Sequence, residues 1–223
     1  MNTKQAAAAA KSGYSTKELV LDAMFIALTY VFTAFVNVRL PIAANGGLIH
    51  LGNVPLFICA ILLGKRTGML AGAFGMGLFD LLSGWTAWAP FTFVVRGVMG
   101  YIIGSIAWSG NKKGESIKTN IFAIIISGVW MIFGYYVTEM ILYGNHAKAM
   151  LSIPGNITQI VIGLVIGVPI AKILRKYIKY SNKKVKVNYK VINLLSSFLS
   201  SFSFYKFNRN YNILFTIYSF FIN

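Results

Sequence analysis

The chain has 223 residues, 57% hydrophobic and 12% charged, with a mean hydropathy of +0.66. A soluble domain carries about a quarter charged residues, so this composition excludes an ordinary soluble protein. The 21 Lys and Arg against 5 Asp and Glu give a net charge of +16, but the positive residues sit in short loops and in the tail, which fits loops flanking membrane helices and argues against a nucleic-acid-binding surface.

Residues 1–17 are polar, with an alanine run at 6–10 and no apolar core of a cleavable signal peptide, and read as a cytoplasmic lead-in. Six apolar spans follow in an all-α membrane domain over residues 18–180. The first runs from about Leu19 to Val36 and leads into a turn-rich loop, Asn37 to Gly47, with Pro41 and Gly46-Gly47. The second, about Leu51 to Gly64, is short and either tilts little or begins inside a protein-lined cavity. It holds Cys59, the only cysteine, so no internal disulfide forms; Cys59 reads as a small core or lipid-facing residue. No Cys/His cluster offers a metal site. Past the basic turn Lys65-Arg66, the third span covers about Thr67 to Ser83 and the fourth Pro90 to Trp108. A polar loop, Asn111 to Lys118, precedes the fifth span, Ile121 to Tyr143. The loop from Gly144 to Ile153 precedes the sixth, Pro154 to Ile173. Residues 181–223 form a basic, then Ser/Phe/Asn-rich tail without steady periodicity and with no assigned role.

Basic residues alternate with the spans. Lys4, Lys11 and Lys17 precede the first, Lys65 and Arg66 follow the second, Lys112, Lys113 and Lys118 follow the fourth, and Lys172, Arg175, Lys176 and Lys179 lie at the end of the sixth and in the tail after it. The opposite loops hold only Arg39 and Lys148. The asymmetry places both termini in the cytoplasm.

Direction then gathers the intramembrane polar residues at one level. Asp80 and Glu139 lie about one turn from the outer ends of the third and fifth spans. Arg96 lies in the outer part of the fourth. Asn156 and Gln159 share a face at the start of the sixth, and His50 and Asn53 stand at the mouth of the second. Trp85, Trp88, Tyr135 and Tyr136 fall at the same height. Ionisable groups in hydrocarbon are costly and mark function. Acids, amides, a guanidinium and flat rings together suit a small planar heteroaromatic ligand approaching from outside. Plainer roles remain open: an Asp80–Arg96 ion pair, an interfacial belt of Trp85 and Trp88, a snorkelling Glu139, and Asn156 as a helix cap. His50 and His146 read as solvated loop residues, and Glu18 and Asp22 as acids favoured by the dipole of the first helix.

Four pairs of small residues are spaced four apart: Ala23/Ala27, Gly68/Gly72, Gly100/Gly104 and Gly163/Gly167. Such faces let helices approach closely, most of them inside the bundle. The chain has no GxxxxGK[ST] loop, HExxH or GxSxG, so uphill transport would draw on an ion gradient or another subunit.

Gly64-Lys65-Arg66-Thr67-Gly68, Gly72, Asp80-Leu81-Leu82-Ser83-Gly84, Ala89-Pro90-Phe91-Thr92, Arg96-Gly97-x-x-Gly100 and Pro154-Gly155-Asn156-x-x-Gln159 resemble the S component of energy-coupling factor (ECF) vitamin transporters, in the riboflavin-transporter-type branch. The likeness spans about residues 17–180. It implies a non-enzymatic six-helix subunit in a prokaryotic plasma membrane, which captures pyridoxine, hydroxymethylpyrimidine or riboflavin from outside. It also implies docking on a transmembrane T subunit carried by two ATPase subunits, which alone use ATP, with Ala23 and Ala27 on the docking face. Expected ligand contacts are Asn53, Asp80, Trp85, Trp88, Thr92, Arg96, Glu139, Asn156 and Gln159, with no catalytic, metal or cofactor residues. The alternatives are an ion-coupled secondary transporter, a membrane enzyme, or a purely structural membrane protein.

Overall fold

The computed structural model describes residues 15–39 and 48–183. The alanine run, the Pro41 and Gly46-Gly47 loop and the tail from 184 onward lie outside them. The chain divides into one unit ending at Arg175 and a second beginning at Lys176. The first carries the elements below as far as most of the last helix.

Helix α1, Thr16–Phe35, opens on a capping box. The Ser15 hydroxyl accepts from the Glu18 N–H, and the Glu18 carboxylate accepts from the Ser15 N–H. Glu18 thus sits where an acid in the first turn was expected. Asp22 does not merely answer the helix dipole. It is buried, accepts from Thr67 Oγ1 at 2.7 Å and pairs with Arg66 at 3.2 Å, tying α1 to the start of the third span.

The stretch read as a loop after the first span contains an antiparallel pair. Strand β1, Asn37–Arg39, faces β2, Leu48–His50, with Asn37 opposite His50. Three-residue strands carry too little alternation to be seen in sequence. Helix α2, Asn53–Leu63, follows. Its 11 residues rise about 16 Å, roughly half the hydrocarbon thickness. Residues 53–62 are all buried, so α2 is a core helix sheathed by protein, and Cys59 is a core residue. Trp108 Nε1 donates to the Ile61 carbonyl and Arg175 Nη2 to those of Ile61 and Leu62. These side chains satisfy carbonyls that the end of α2 leaves open.

Gly64, at φ 93°, turns the chain into α3, Lys65–Leu70. The helix continues through a π-helical stretch, Ala71–Met76, into α4, Gly77–Leu82. Helix α5 is Ala89–Ala107, α6 Ile117–Tyr143, α7 the short His146–Met150, and α8 Ile153–Lys183. The segments Thr16–Phe35, Ala89–Ala107, Ile117–Tyr143 and His146–Tyr177 are long and apolar enough to cross a bilayer.

The small-residue pairs divide by role. A Cβ on Gly100 would lie 2.0 Å from the Gly68 carbonyl oxygen, and one on Gly72 would lie 2.2 Å from that of Arg96. The α3–α4 rod and α5 therefore meet backbone to backbone, and a Cβ on Gly163 of α8 would lie 2.7 Å from the Phe57 ring and 2.8 Å from Asn53 Cβ of α2. Ala23 and Ala27, in contrast, are exposed.

Gly100→Val is expected to cost at least about 1–3 kcal/mol, because the backbone it meets cannot move aside as a side chain can. Ala27→Val should leave the thermal unfolding midpoint in detergent unchanged. Equal midpoints for wild type and Gly100→Val would disprove the backbone contact.

Candidate functional site

Arg96 lies in the second turn of α5 and is 2% exposed. A buried guanidinium is tolerated only when its N–H groups are taken up. Nε donates to the Tyr135 hydroxyl at 3.0 Å, Nη1 to Asn53 Oδ1 at 2.7 Å and to Met131 Sδ at 3.0 Å, and Nη2 to Gln159 Oε1 at 3.1 Å. The guanidinium also lies 5.0 Å from the centre of the Tyr135 ring. One side chain of α5 thus ties α2, α6 and α8 together. Gln159 passes the connection on, its Nε2 donating to the Leu48 carbonyl of β2 at 2.9 Å.

Asp80, near the end of α4, is linked to this network through neighbours. Thr92 Oγ1 donates to the Asp80 carboxylate and lies 3.2 Å from the Tyr135 hydroxyl. The relay Asp80–Thr92–Tyr135–Arg96 stands where the sequence allowed a direct ion pair.

Above the network opens a cleft that is continuous with solvent. Asp80, Trp85, Trp88, Arg96, Glu139, Asn156 and Gln159, all expected from the sequence, line it. Asn53 and Thr92 stand behind the wall, holding Arg96 and Asp80. Asn53 Nδ2 is buried without a hydrogen-bond partner among the described residues. Gln159 faces the cleft with both ends of its amide already engaged. Trp85 and Trp88 meet edge to face at 5.3 Å, and Trp88 lies 5.7 Å from Tyr143, forming an aromatic rim. Glu139 is 5% exposed, so it does not snorkel to the surface.

Leu48, His50, Tyr135, Ser152 and Gly155 also line the cleft; the sequence places His50 and Tyr135 at this height without assigning either to the ligand. Tyr135 had a legible signal, since it precedes Glu139 by four on one helix face. His50 is corrected from solvated loop to buried wall: it is 8% exposed, and its Nδ1 accepts from the Gly52 N–H at 3.2 Å. Burial, with the Arg96 charge added, holds its imidazole well below the usual histidine range. His146 is exposed and bonds Tyr136 away from the cleft.

Two carboxylates and one guanidinium with most of its donors spent give the cleft an acceptor-rich wall. It can bind and orient a small polar ring. No metal-holding group of His, Cys, Asp and Glu occurs among the described residues.

Residues 13–176 match the family described as ECF-type riboflavin transporter, S component. An uncharacterised protein of the gap 3′ region of Pyrococcus woesei is 32% identical over 141 residues, 63% of this chain and 91% of that protein. The thiamine precursor transporter HmpT of Lactococcus lactis subsp. cremoris is 27% identical over 163 residues, 73% of this chain and 88% of the relative. The solved S component of a bacterial ECF transporter superposes with a TM-score of 0.57 at 20% identity, covering 73% of this chain and 98% of that one, a likeness of fold.

Gln159→Ala leaves Arg96 Nη2 and the Leu48 carbonyl without partners, and should cost about 1–3 kcal/mol in thermal unfolding. An unchanged midpoint would remove Gln159 as a strut. Because the folded pKa of His50 is lowered, the unfolded chain binds more protons below about pH 6.5, so stability should fall as pH drops through that value. His50→Gln should flatten that acid limb; an acid limb that persists unaltered in the variant would assign it to other groups.

Proposed function

The chain belongs to the family of ECF-type riboflavin transporter S components, and we propose that its cleft captures a small heteroaromatic vitamin or vitamin precursor from outside the cell. The protein is a substrate-specific vitamin-uptake subunit and not an enzyme. The observation that carries the ligand reading is the acceptor-rich, aromatic-rimmed cleft around a guanidinium already committed to Asn53, Tyr135 and Gln159.

That chemistry favours a ligand with hydroxyl or amino donors and a flat ring over one bearing phosphate, because Arg96 has few donors left for an anion. Pyridoxine and hydroxymethylpyrimidine fit it better than riboflavin, and the 27% identical relative is a thiamine precursor transporter. Asp80, Glu139 and Asn156 would bond ligand groups, Trp85 and Trp88 would cover the ring, and Asn53, Thr92, Arg96 and Gln159 would hold the wall.

Orientation is supported by charge. Lys65 and Arg66, with Lys112, Lys113 and Lys118, lie toward the end opposite the cleft, where Trp108 and Arg175 meet the end of α2. Positive residues flank the cytoplasmic side, so the cleft faces outward, both termini lie inside, and α2 and the α3–α4 rod complete a six-helix bundle in a prokaryotic plasma membrane. Ala23 and Ala27 form the one small-residue pair of the four left exposed, which suits docking on a T subunit carried by two ATPase subunits. Those subunits would use the ATP.

Mass spectrometry of protein purified from rich medium should find one such vitamin bound. Asp80→Asn should weaken its binding about tenfold or more while preserving the fold, and equal affinity would remove Asp80 from the site. Ala23→Leu combined with Ala27→Leu should abolish co-purification with the T subunit and leave ligand affinity intact; retained assembly would reject the docking face. Uptake by vesicles lacking ATPase subunits, stopped by an ionophore, would replace this reading with ion-coupled transport.

A further inference from the structure

The β1–β2 hairpin does more than connect α1 to α2. Asn37 Nδ2 donates to the Thr33 and Ala34 carbonyls at the end of α1, at 3.0 and 2.7 Å, and the Leu51 N–H donates to Val36. The base of the hairpin is thereby fixed, and the register sets His50 directly across from Asn37. The Nδ1 edge of the His50 ring is closed off. A Cβ on Gly52 would lie 2.3 Å from Thr33 Oγ1 and 3.0 Å from both His50 Nδ1 and Met76 Cε. Only a glycine lets its N–H approach the ring this way. A nitrogen that accepts from a backbone N–H carries no proton, so in the neutral ring the proton resides on Nε2.

The Nε2 edge has no protein partner among the described residues, and His50 lines the cleft. The charged and titratable groups that share this cavity come from three other elements: Asp80 from α4, Arg96 from α5, and Tyr135 and Glu139 from α6. Asp80 is engaged by Thr92, and Arg96 by Asn53, Tyr135 and Gln159. Arg96 opposes a second positive charge nearby, and burial acts the same way.

We infer that His50 is a specificity-determining residue that offers a neutral Nε2–H to the ligand, so that the ligand carries a hydrogen-bond acceptor, a ring nitrogen or an oxygen, against the β2 wall. The inference rests on the reading of this cleft as the vitamin site. It adds a donor to a wall otherwise rich in acceptors, and so requires a ligand with both kinds of group: donors toward Asp80 and an acceptor toward His50. A purely donor-bearing cation would leave His50 Nε2–H buried and unpaired, which is costly.

The test has two arms. The chain contains two histidines, so His146→Gln leaves one imidazole, read by ¹⁵N chemical shifts in the full-length purified protein. The expected spectrum is a neutral ring protonated at Nε2 from about pH 8 down to about pH 6.5. A ring protonated at Nδ1, or an imidazolium at neutral pH, would overturn the inference whatever the ligand proves to be. In the second arm, hydroxymethylpyrimidine, pyridoxine and riboflavin are titrated into wild type, His50→Gln, His50→Asn and His50→Phe. The Gln amide nitrogen overlays Nε2 and should retain affinity. Asn, which overlays Nδ1, and Phe should each lose about tenfold or more. Wild-type binding with equal affinity in all three variants would reject His50 as a contact and leave the vitamin-capture reading standing. Failure of wild type to bind any of the three would instead reject the proposed ligand class, and the imidazole spectrum would still decide the state of His50. Thermal unfolding of each variant separates lost contact from lost fold.

Discussion

A guanidinium removed from water sets the terms for the upper half of this bundle. Desolvating a cation costs several kcal/mol unless its donors are satisfied, and Arg96 meets that demand by drawing on three other helices at once. Because Asn53, Tyr135 and Gln159 must each reach the same group, α2, α6 and α8 are held at fixed separations around α5. The cleft is the space left above that junction, and its wall inherits the rigidity of the network below it. Gln159 carries the constraint to Leu48, so the position of β2, and with it His50, also depends on the buried charge.

Close backbone contact is what allows Arg96 to stand where it does. The α3–α4 rod presses against α5 through Gly72 and Gly100, and the Arg96 carbonyl is itself one of the contact points. Any side chain at Gly72 would push α5 away and move the guanidinium off its partners. The π-helical stretch lies in the same rod, directly before the turn that carries Asp80. Such stretches often accompany functional sites because they change the direction of the residues that follow. A short α2 completes the arrangement. It never has to face lipid along its length, so it can be apolar all round and still present Asn53 to the charge.

The two ends of the bundle are built for different work. At the cleft end, polar groups point inward and aromatic rings form the rim. At the other end, Asp22 with Thr67 and Arg66 ties α1 to α3, while Trp108 and Arg175 close off α2. The face of α1 bearing Ala23 and Ala27 remains uncovered beside that tether. Membership in the S-component family is compatible with this separation, and the proposed docking of a partner on the Ala23 and Ala27 face would leave the cleft end untouched.

Much was legible in the sequence because bilayer physics leaves strong one-dimensional marks. Hydrocarbon thickness sets the length of apolar runs, charge marks their flanks, and a buried ionisable residue is rare enough to stand out. Hence the six apolar spans fall close to the observed helices, although the loop read over Gly144 to Ile153 holds the short α7 and the sixth span runs on past Ile173 to Lys183, and seven of the residues proposed for the cleft do line it. Folding in three dimensions alone decided the rest. Helix direction put Asp80 and Arg96 at one height, but only the packing showed that Thr92 and Tyr135 stand between them. Gln159 and Asn53 read from the sequence as ligand contacts, and the packing engages the amide oxygen of each with Arg96, because a hydrogen-bond donor or acceptor is spent by whichever partner reaches it first, and sequence spacing does not rank partners on different helices. His50 was hidden for a related reason. A three-residue strand leaves no periodic trace, and whether a histidine beside it meets water or a cavity depends on the segments that close over it.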